Sequence, residues 1–232
     1  QKAEGGSGVK FDIGGHNFGV DVSVRIGEDK ANMDWKSSAL HEGEMLQSVA
    51  GEIPRGAITE IIGPPSSGRT SLLYSLLATI SSSDEFSALL DTEDRFDPAS
   101  AAAAGVRLSQ VLWIRCGGNV EHAMKSADML AQAGGFGMVA LDLGDTPEQS
   151  MRRVPMPAWF RLRHAVKNTR TALLVLSRSL QARTCSAVKI ELSRSSTLWR
   201  GTAPAVLLNG LEVACKHTRN HRERQSGFVL PR

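Results

Sequence analysis

One stretch, residues 58–80, constrains the fold of this chain more than any other. It begins with a short apolar run, Ile58 to Ile62, and ends with leucines at helical spacing. Between the two lies the sequence Gly63-Pro64-Pro65-Ser66-Ser67-Gly68-Arg69-Thr70-Ser71. A strand, a glycine-rich loop and a helix in this order form the setting in which backbone N–H groups and a helix N-terminus bind phosphate. The stretch therefore predicts a phosphate-binding loop in an α/β core.

The loop departs from the pattern G-x-x-x-x-G-K-[ST] at one fixed position. Arg69 stands where the pattern has lysine, and Thr70 follows it as the pattern requires. A guanidinium keeps the positive charge but is planar and bulkier than an ammonium, so the two are not interchangeable in a tight phosphate cradle. Thr70 is a candidate to offer its hydroxyl to Mg²⁺.

Strands and helices alternate after this loop. Apolar runs separated by helical patterns lie at residues 86–90, 111–116, 136–143 and 172–176. This alternation predicts a mostly parallel central sheet flanked by helices. The apolar runs that follow, at 187–192, 205–208 and 211–216, have no helix between them and predict an antiparallel extension of the sheet.

The two ends of the chain differ from this core. Apolar and polar residues alternate on both sides of a glycine turn within residues 9–26, which predicts a β-hairpin. Residues 216–232 carry five Lys or Arg and one Glu. We expect an N-terminal extension at residues 1–44, with the hairpin and a linker, and a core at residues 45–232 that ends in a basic tail.

Composition limits the kind of protein that this chain can be, but it does not indicate a function. The net charge is only +3, so overall charge does not indicate a nucleic-acid binder. Cys116, Cys185 and Cys215 are odd in number and far apart, which predicts buried free thiols in a reducing compartment. No apolar run approaches the ~18 residues of a membrane helix, so we expect a cytoplasmic protein without membrane contact.

Acidic side chains follow two of the predicted strands, at the sheet edge where α/β proteins bind ligands. Asp142 lies at the end of one strand and is suited to holding Mg²⁺ through water. Glu93 lies just past another, where a carboxylate can orient the water that attacks a γ-phosphate. Each also has a plain alternative: Asp142 is a helix cap, and Glu93 is part of a solvated acidic loop with Asp91, Asp94 and Asp97.

Several blocks of this sequence resemble the RecA core, over about residues 45–230. Ile53 to Thr70 resembles the start of that core, and Leu90-Asp91-Thr92-Glu93 with Asp97-Pro98 and Gly105-Val106 resembles its next block. Val139 to Asp142 looks like its Walker B strand. Val213 to Lys216 and Arg224 to Phe228 are similar to its last strands. The resemblance implies a RecA-like fold that binds ATP and Mg²⁺.

The resemblance also implies a role for individual residues. It implies Glu93 as the catalytic, water-orienting glutamate, and Thr70 and Asp142 as Mg²⁺ helpers. It implies Asp97 as a contact near the adenine, beside the nucleotide-binding residues 63–71. Lys216 matches a lysine that reaches the nucleotide of a neighbouring subunit, which implies a homo-oligomer.

Other positions depart from the RecA pattern. Ser100 stands where the family has an aromatic that stacks on adenine, and Thr218 matches a second bridging lysine. Arg178 stands where the family has a glutamine that senses the γ-phosphate. Only about eight residues separate Arg178 from Ala187, where RecA has a long mobile DNA-binding loop. These departures indicate a retained fold with an eroded nucleotide site.

This combination resembles the ImuA-like accessory proteins of bacterial damage-induced mutagenesis. The residues that carry this resemblance are Gly68-Arg69-Thr70-Ser71 and the block from Trp113 to Asp145. It implies a DNA-repair and SOS-response protein that supports translesion synthesis through a RecA filament or mutasome polymerase proteins, with at most a weak ATPase. The alternative is an active DNA-dependent ATPase recombinase of the RecA type, which the retained Thr70, Glu93 and Asp142 favour.

Basic residues provide candidate contacts with DNA or with a neighbouring subunit. Arg152 and Arg153 lie in the loop expected at residues 144–157, and Arg178 follows a strand. Further candidates are a basic helix face, with Arg163, Lys167 and Arg170, and the C-terminal tail. DNA contact would make the protein nucleoid-associated.

Overall fold

The computed structural model describes residues 9–13, 16–20, 53–201, 206–219 and 222–231. The chain divides into two compact units, residues 1–34 and residues 35–232. In the first unit, strands β1 (Val9–Ile13) and β2 (His16–Val20) pair antiparallel, with Phe11 opposite Phe18. The predicted hairpin is confirmed over these residues, and its expected continuation to residue 26 lies outside the described residues.

The second unit opens with strand β3 (Ile58–Ile62) and helix α1 (Arg69–Ser82). Four parallel strands follow: β4 (Phe86–Asp91), β5 (Val111–Arg115), β6 (Phe136–Asp142) and β7 (Ala172–Ser177). The helices that connect them are α2 (Pro98–Ala103), α3 (Val120–Ala133), α4 (Glu148–Met151) and α5 (Met156–Val166). The chain continues with β8 (Ser186–Arg200), β9 (Leu207–Arg219) and β10 (Arg222–Pro231).

These eight strands form one sheet in the order β10-β9-β8-β3-β7-β6-β4-β5. From β8 to β5 in this order, the strands run parallel to one another. β9 pairs antiparallel with β8, and β10 pairs antiparallel with β9. The expected α/β fold, with a mostly parallel central sheet and antiparallel C-terminal strands, is confirmed. Because β3, β4 and β6 are parallel, the loops that follow them meet at one edge of the sheet.

Apolar side chains cover both faces of this sheet. On one face Trp159, Leu162 and Val166 of α5 pack with α3, as their helical spacing predicts. On the other face α1 buries Leu72 and Leu77 against the sheet. Fully burying one such side chain is worth roughly 1.5–3 kcal/mol, so these layers fix α1 and its preceding loop against β3.

Some local predictions were wrong. The segment expected to be a loop at 144–157 contains the short helix α4, and α5 ends at Val166, because Lys167 leaves the helical conformation with a ψ of 133°. Lys167 and Arg170 therefore do not continue the helical face of Arg163. The apolar segments expected at 205–208 and 211–216 belong, from Leu207 on, to one strand, β9, in which Gly210 pairs with Leu198 of β8 and Pro231 of β10, and Asn209 lies at a register shift.

The basic C-terminal segment is not a free tail where it is described. Residues 216–219 end β9, and Arg222–Pro231 forms β10, so the segment is an antiparallel edge of the sheet. The three cysteines are buried and do not form disulfide bonds, as predicted. Across the described ranges, the helices all fall short of the length or the apolar character needed to cross a bilayer.

Candidate functional site

The loop between β3 and α1 makes a tight turn that only certain residues permit. Gly68 has a φ of 91° and Ser66 a φ of 60°, both in the left-handed region. A Cβ on Gly63 would lie 2.4 Å from Ser67 Oγ and 2.5 Å from the Leu192 carbonyl oxygen, so no larger residue fits there. The Ser67 N–H donates to the Pro64 carbonyl at 3.3 Å, which closes the turn.

Arg69, the first residue of α1, is directed towards the loop that follows β6. Its Nη1 donates to the Gly144 carbonyl at 2.9 Å, and its Nη2 donates to Asp145 Oδ1 at 2.7 Å. The Arg69 and Asp145 side chains are only 11% and 17% exposed, so water screens this ion pair poorly. Arg69, the cation of the phosphate-binding motif, therefore bonds the loop after β6.

Asp145 is the centre of a cluster of charges. Arg95 Nη1 donates to its second oxygen, Oδ2, at 3.1 Å, and Arg178 Nε lies 3.6 Å from Oδ1. Burial alone would raise the pKa of Asp145, but the hydrogen bond and charge of Arg69, with the charges of Arg178 and Arg95, outweigh it and lower that pKa. Asp145 is thus an ionised carboxylate shared by three arginines.

Glu93 lies beside this cluster. Its Oε2 accepts the Asp145 N–H at 3.1 Å and lies 3.1 Å from Arg95 Nε. A Cβ on Gly144 would lie 2.5 Å from the same oxygen, so the glycine allows the close approach of Glu93. The carboxylate expected to orient water is engaged with the loop after β6.

Asp142 and Thr70 line one small cavity between α1 and the end of β6, together with Arg69 and Asp145. Burial raises the pKa of the Asp142 carboxyl to about 6, although its Oδ1 accepts the Gly144 N–H at 2.9 Å. The cavity volume is about 50 Å³, which holds a few water-sized groups.

Asp97, expected near the adenine, is the N-cap of α2. Its side chain accepts the N–H groups of Ala99 and Ser100 at 3.3 and 3.1 Å and the hydroxyl of Ser100. The hydrogen bonds from the Ser100 side chain and backbone lower the pKa of Asp97. Ser100, in the position of the family's stacking aromatic, is thus part of a helix cap.

The remaining predicted contacts lie in separate places. Lys216 pairs with Glu223 on β10 at 3.0 Å, and Arg152, which directly follows α4, pairs with Glu148 of that helix at 3.2 Å. Arg153 is exposed and lines a second cavity of about 260 Å³ with Gly117 and Gly118. Of the basic candidates, only Arg178 reaches the charge cluster around Asp145.

Sequence reasoning missed two carboxylates that shape the site. Asp145 is one, and its only local signal is its place after Asp142 and Gly144. Glu60 is the other. It is fully buried in β3, and its Oε1 accepts the N–H groups of Gln181 and Ala182 at 2.6 and 2.7 Å. Glu60 therefore anchors the short connection between β7 and β8.

The family resemblance implies ATP and Mg²⁺ as bound groups. The residues for Mg²⁺ lie together, whereas the residue for the phosphates does not face the loop. Thr70 and Asp142 offer the oxygen ligands that Mg²⁺ prefers within one cavity. The phosphate side does not fit, because two donor nitrogens of Arg69 are bonded to Gly144 and Asp145 instead of facing a ligand in the loop. Among the described residues, no group of three or more His, Cys, Asp or Glu side chains is arranged to hold a metal ion, so Thr70 and Asp142 stay predicted Mg²⁺ helpers.

Comparisons with known proteins agree with this architecture. A family model described as the RecA N-terminal domain matches residues 12–148. Protein RecA of Borrelia hermsii is 33% identical over 129 residues, covering 54% of this chain and 35% of that protein. Protein RecA of Picosynechococcus sp. is 33% identical over 128 residues, covering 54% and 36%. For Borreliella burgdorferi the identity is 32%, covering 54% and 34%. The match spans about a third of the length of these relatives.

Proposed function

Because this chain belongs to the RecA N-terminal domain family, we propose that it is an ImuA-like accessory protein of bacterial DNA repair and the SOS response. It supports translesion synthesis by binding protein partners, a RecA filament or mutasome polymerase proteins, at the nucleoid. It does not drive strand exchange with an ATPase cycle. DNA and a second copy of the chain are further proposed partners.

The observation that carries this proposal is that Arg69 bonds other residues of the protein. In a phosphate-binding loop the cation after the second glycine bonds the terminal phosphates of the nucleotide. Here that cation bonds Gly144 and Asp145 at 2.9 and 2.7 Å. A site arranged in this way is poorly suited to repeated cycles of ATP binding and hydrolysis.

The connection between β7 and β8 supports the same proposal. It spans residues 178–185, and two of its N–H groups are held by the buried Glu60. In RecA this connection is a long mobile DNA-binding loop. A short connection pinned to the core leaves little backbone for pairing DNA strands.

A second candidate function is an active ATPase recombinase. Thr70 and Asp142 share one cavity, and Glu93 lies next to it, which is the set of oxygen ligands that such an enzyme needs. This candidate requires Arg69 to leave Asp145 and enter the loop.

ATP turnover with and without single-stranded DNA separates the two candidates. We expect the full chain to show no DNA-stimulated ATP hydrolysis, while the same preparation binds RecA filaments assembled on single-stranded DNA. DNA-stimulated hydrolysis that is lost in Glu93→Gln would contradict the accessory role, because it would show Glu93 at work as the water-orienting carboxylate. A bacterial strain lacking the chain should also show a lower frequency of damage-induced mutation, restored by the wild-type chain.

A further inference from the structure

We propose that Asp145 is an internal substitute for a phosphate group, which occupies Arg69 and so keeps the nucleotide site closed without any ligand. The inference rests on the proposed function, since both concern the same degenerate site. It adds to that function an autoinhibitory contact between the start of α1 and the loop after β6.

The first argument is the geometry of the pair. Arg69 makes two bonds at once, to the Gly144 carbonyl and to Asp145 Oδ1, at 2.9 and 2.7 Å. A guanidinium forms such a fork with a fixed geometry, whereas an ammonium is a single point charge. The exchange of lysine for arginine in the motif therefore provides the second bond that this contact needs.

The second argument is that Asp145 is held in place before any ligand arrives. Its backbone N–H donates to Glu93 at 3.1 Å, and its Oδ2 accepts from Arg95 at 3.1 Å. Gly144 is packed so closely against Glu93 that a Cβ would lie 2.5 Å from Oε2. A carboxylate fixed in this way loses little entropy when it binds Arg69, which favours the internal contact over a free anion.

The third argument is the chemistry of the competitor. Arg69, Arg95 and Arg178 all lie within ion-pair distance of the Asp145 carboxylate, and Arg95 also contacts Glu93. A polyanion with tetrahedral oxygens, such as the phosphates of a nucleoside triphosphate, is the ligand class that would compete with Asp145 for these guanidinium groups. Removal of the Asp145 carboxylate should therefore free Arg69 for a phosphate.

The test is the affinity of the full chain for MgATP, measured by calorimetry. We expect Asp145→Ala to bind MgATP roughly tenfold to a hundredfold more tightly than the wild type, the range that one charged hydrogen bond is worth. The double variant Arg69→Ala/Asp145→Ala should lose this gain, because the freed guanidinium is then absent. Glu148→Ala is the matched control. It removes an exposed carboxylate from the same region, paired with Arg152 at 3.2 Å, and should leave the affinity unchanged.

Two results would overturn the inference. One is equal affinity, or equal absence of binding, in the wild type and in Asp145→Ala. The other is an equal gain in Glu148→Ala, which would indicate a general effect of charge. If Asp145→Ala does not fold, as judged by thermal unfolding, Asp145→Asn takes its place and should show a smaller gain in affinity. The accessory role is judged separately by DNA-stimulated turnover, so either idea can fail alone.

Discussion

At the scale of single residues, the carboxylates of the site differ in burial and in the charges around them. Asp145 is surrounded by arginines, which lower its pKa, whereas burial raises the pKa of Asp142 to about 6. Asp91, which precedes both Glu93 and Asp94, is buried and accepts the N–H groups of Arg95 and Phe96. Neighbouring acids thus differ in what they contact: Asp145 binds arginine, Asp142 is buried and accepts the Gly144 N–H, and Asp91 supports a turn.

Asp142 should make stability depend on pH. Its pKa is raised from 3.8 to about 6 in the folded state, so the folded protein binds more protons between these values and becomes less stable as pH rises through them. Asp142→Asn keeps the acceptor for the Gly144 N–H and removes the charge. We expect it to raise the free energy of unfolding by roughly 1–3 kcal/mol more at pH 7 than at pH 4.

Urea unfolding of the wild type and of Asp142→Asn, in a chelator that removes divalent cations, measures this difference. Comparing the two proteins at each pH cancels the opposite trend expected from Asp97 and Asp145, whose pKa values are lowered. An equal effect of the substitution at both pH values would show that the buried carboxyl does not titrate in this range.

At the scale of elements, the connection between β7 and β8 depends on one buried carboxylate. Glu60 bonds two N–H groups of that connection, and its second oxygen has no hydrogen-bond partner in the described part of the chain. Glu60→Ala should therefore lower the free energy of unfolding by roughly 2–4 kcal/mol, because it leaves the buried Ala182 N–H and the partly buried Gln181 N–H without an acceptor and creates a cavity. Proteolytic cleavage within residues 178–185 should become faster.

Two variants sharpen this measurement. Glu60→Gln keeps the acceptor oxygen and should cost less than Glu60→Ala. Glu191→Ala removes an exposed carboxylate from β8 and should change the free energy of unfolding by less than about 0.5 kcal/mol. A loss in Glu191→Ala as large as in Glu60→Ala would show that charge, and not the two hydrogen bonds, sets the stability of this connection.

Local pattern was enough to predict most elements of the sheet. The alternation of apolar runs and helical spacing identifies β3 to β7, and the spacing of Trp159, Leu162 and Val166 identifies the buried face of α5. It failed where the determining contact is distant in sequence. Residues 207–208 and 211–216 form one strand, because Gly210 between them pairs with Leu198 of β8 and Pro231 of β10. Arg69 meets Asp145 across 76 residues, so only the folded chain brings the pair together.

At the scale of the whole molecule, a net charge of +3 hides an uneven distribution. Residues 149–170 contain six Lys or Arg and no Asp or Glu. All six are exposed: Arg152, Arg153, Arg161, Arg163, Lys167 and Arg170. Phe160 is 45% exposed among them, with the Arg163 guanidinium 5.3 Å from the centre of its ring. Residues 149–170 thus expose charge for phosphates and, at Phe160 on α5, an aromatic face for a base.

If residues 149–170 bind single-stranded DNA, the affinity for DNA should fall with salt and should depend on their six basic side chains. We expect Arg163→Gln/Lys167→Gln to weaken binding across all sequences and to reduce the slope of log affinity against log salt by roughly 1.4, since each of two phosphate contacts on a single strand contributes about 0.7. Fluorescence anisotropy at several salt concentrations measures both quantities.

The control is Arg107→Gln/Lys125→Gln, which removes one exposed arginine and one exposed lysine outside residues 149–170. It changes the net charge by the same amount, so an effect of total charge alone would appear equally in both variants. A reduced slope in the Arg163/Lys167 variant only would locate phosphate contacts within residues 149–170. Equal slopes in all three proteins would exclude phosphate contacts by Arg163 and Lys167. Protein partners would then be the reason for the positive charge of residues 149–170.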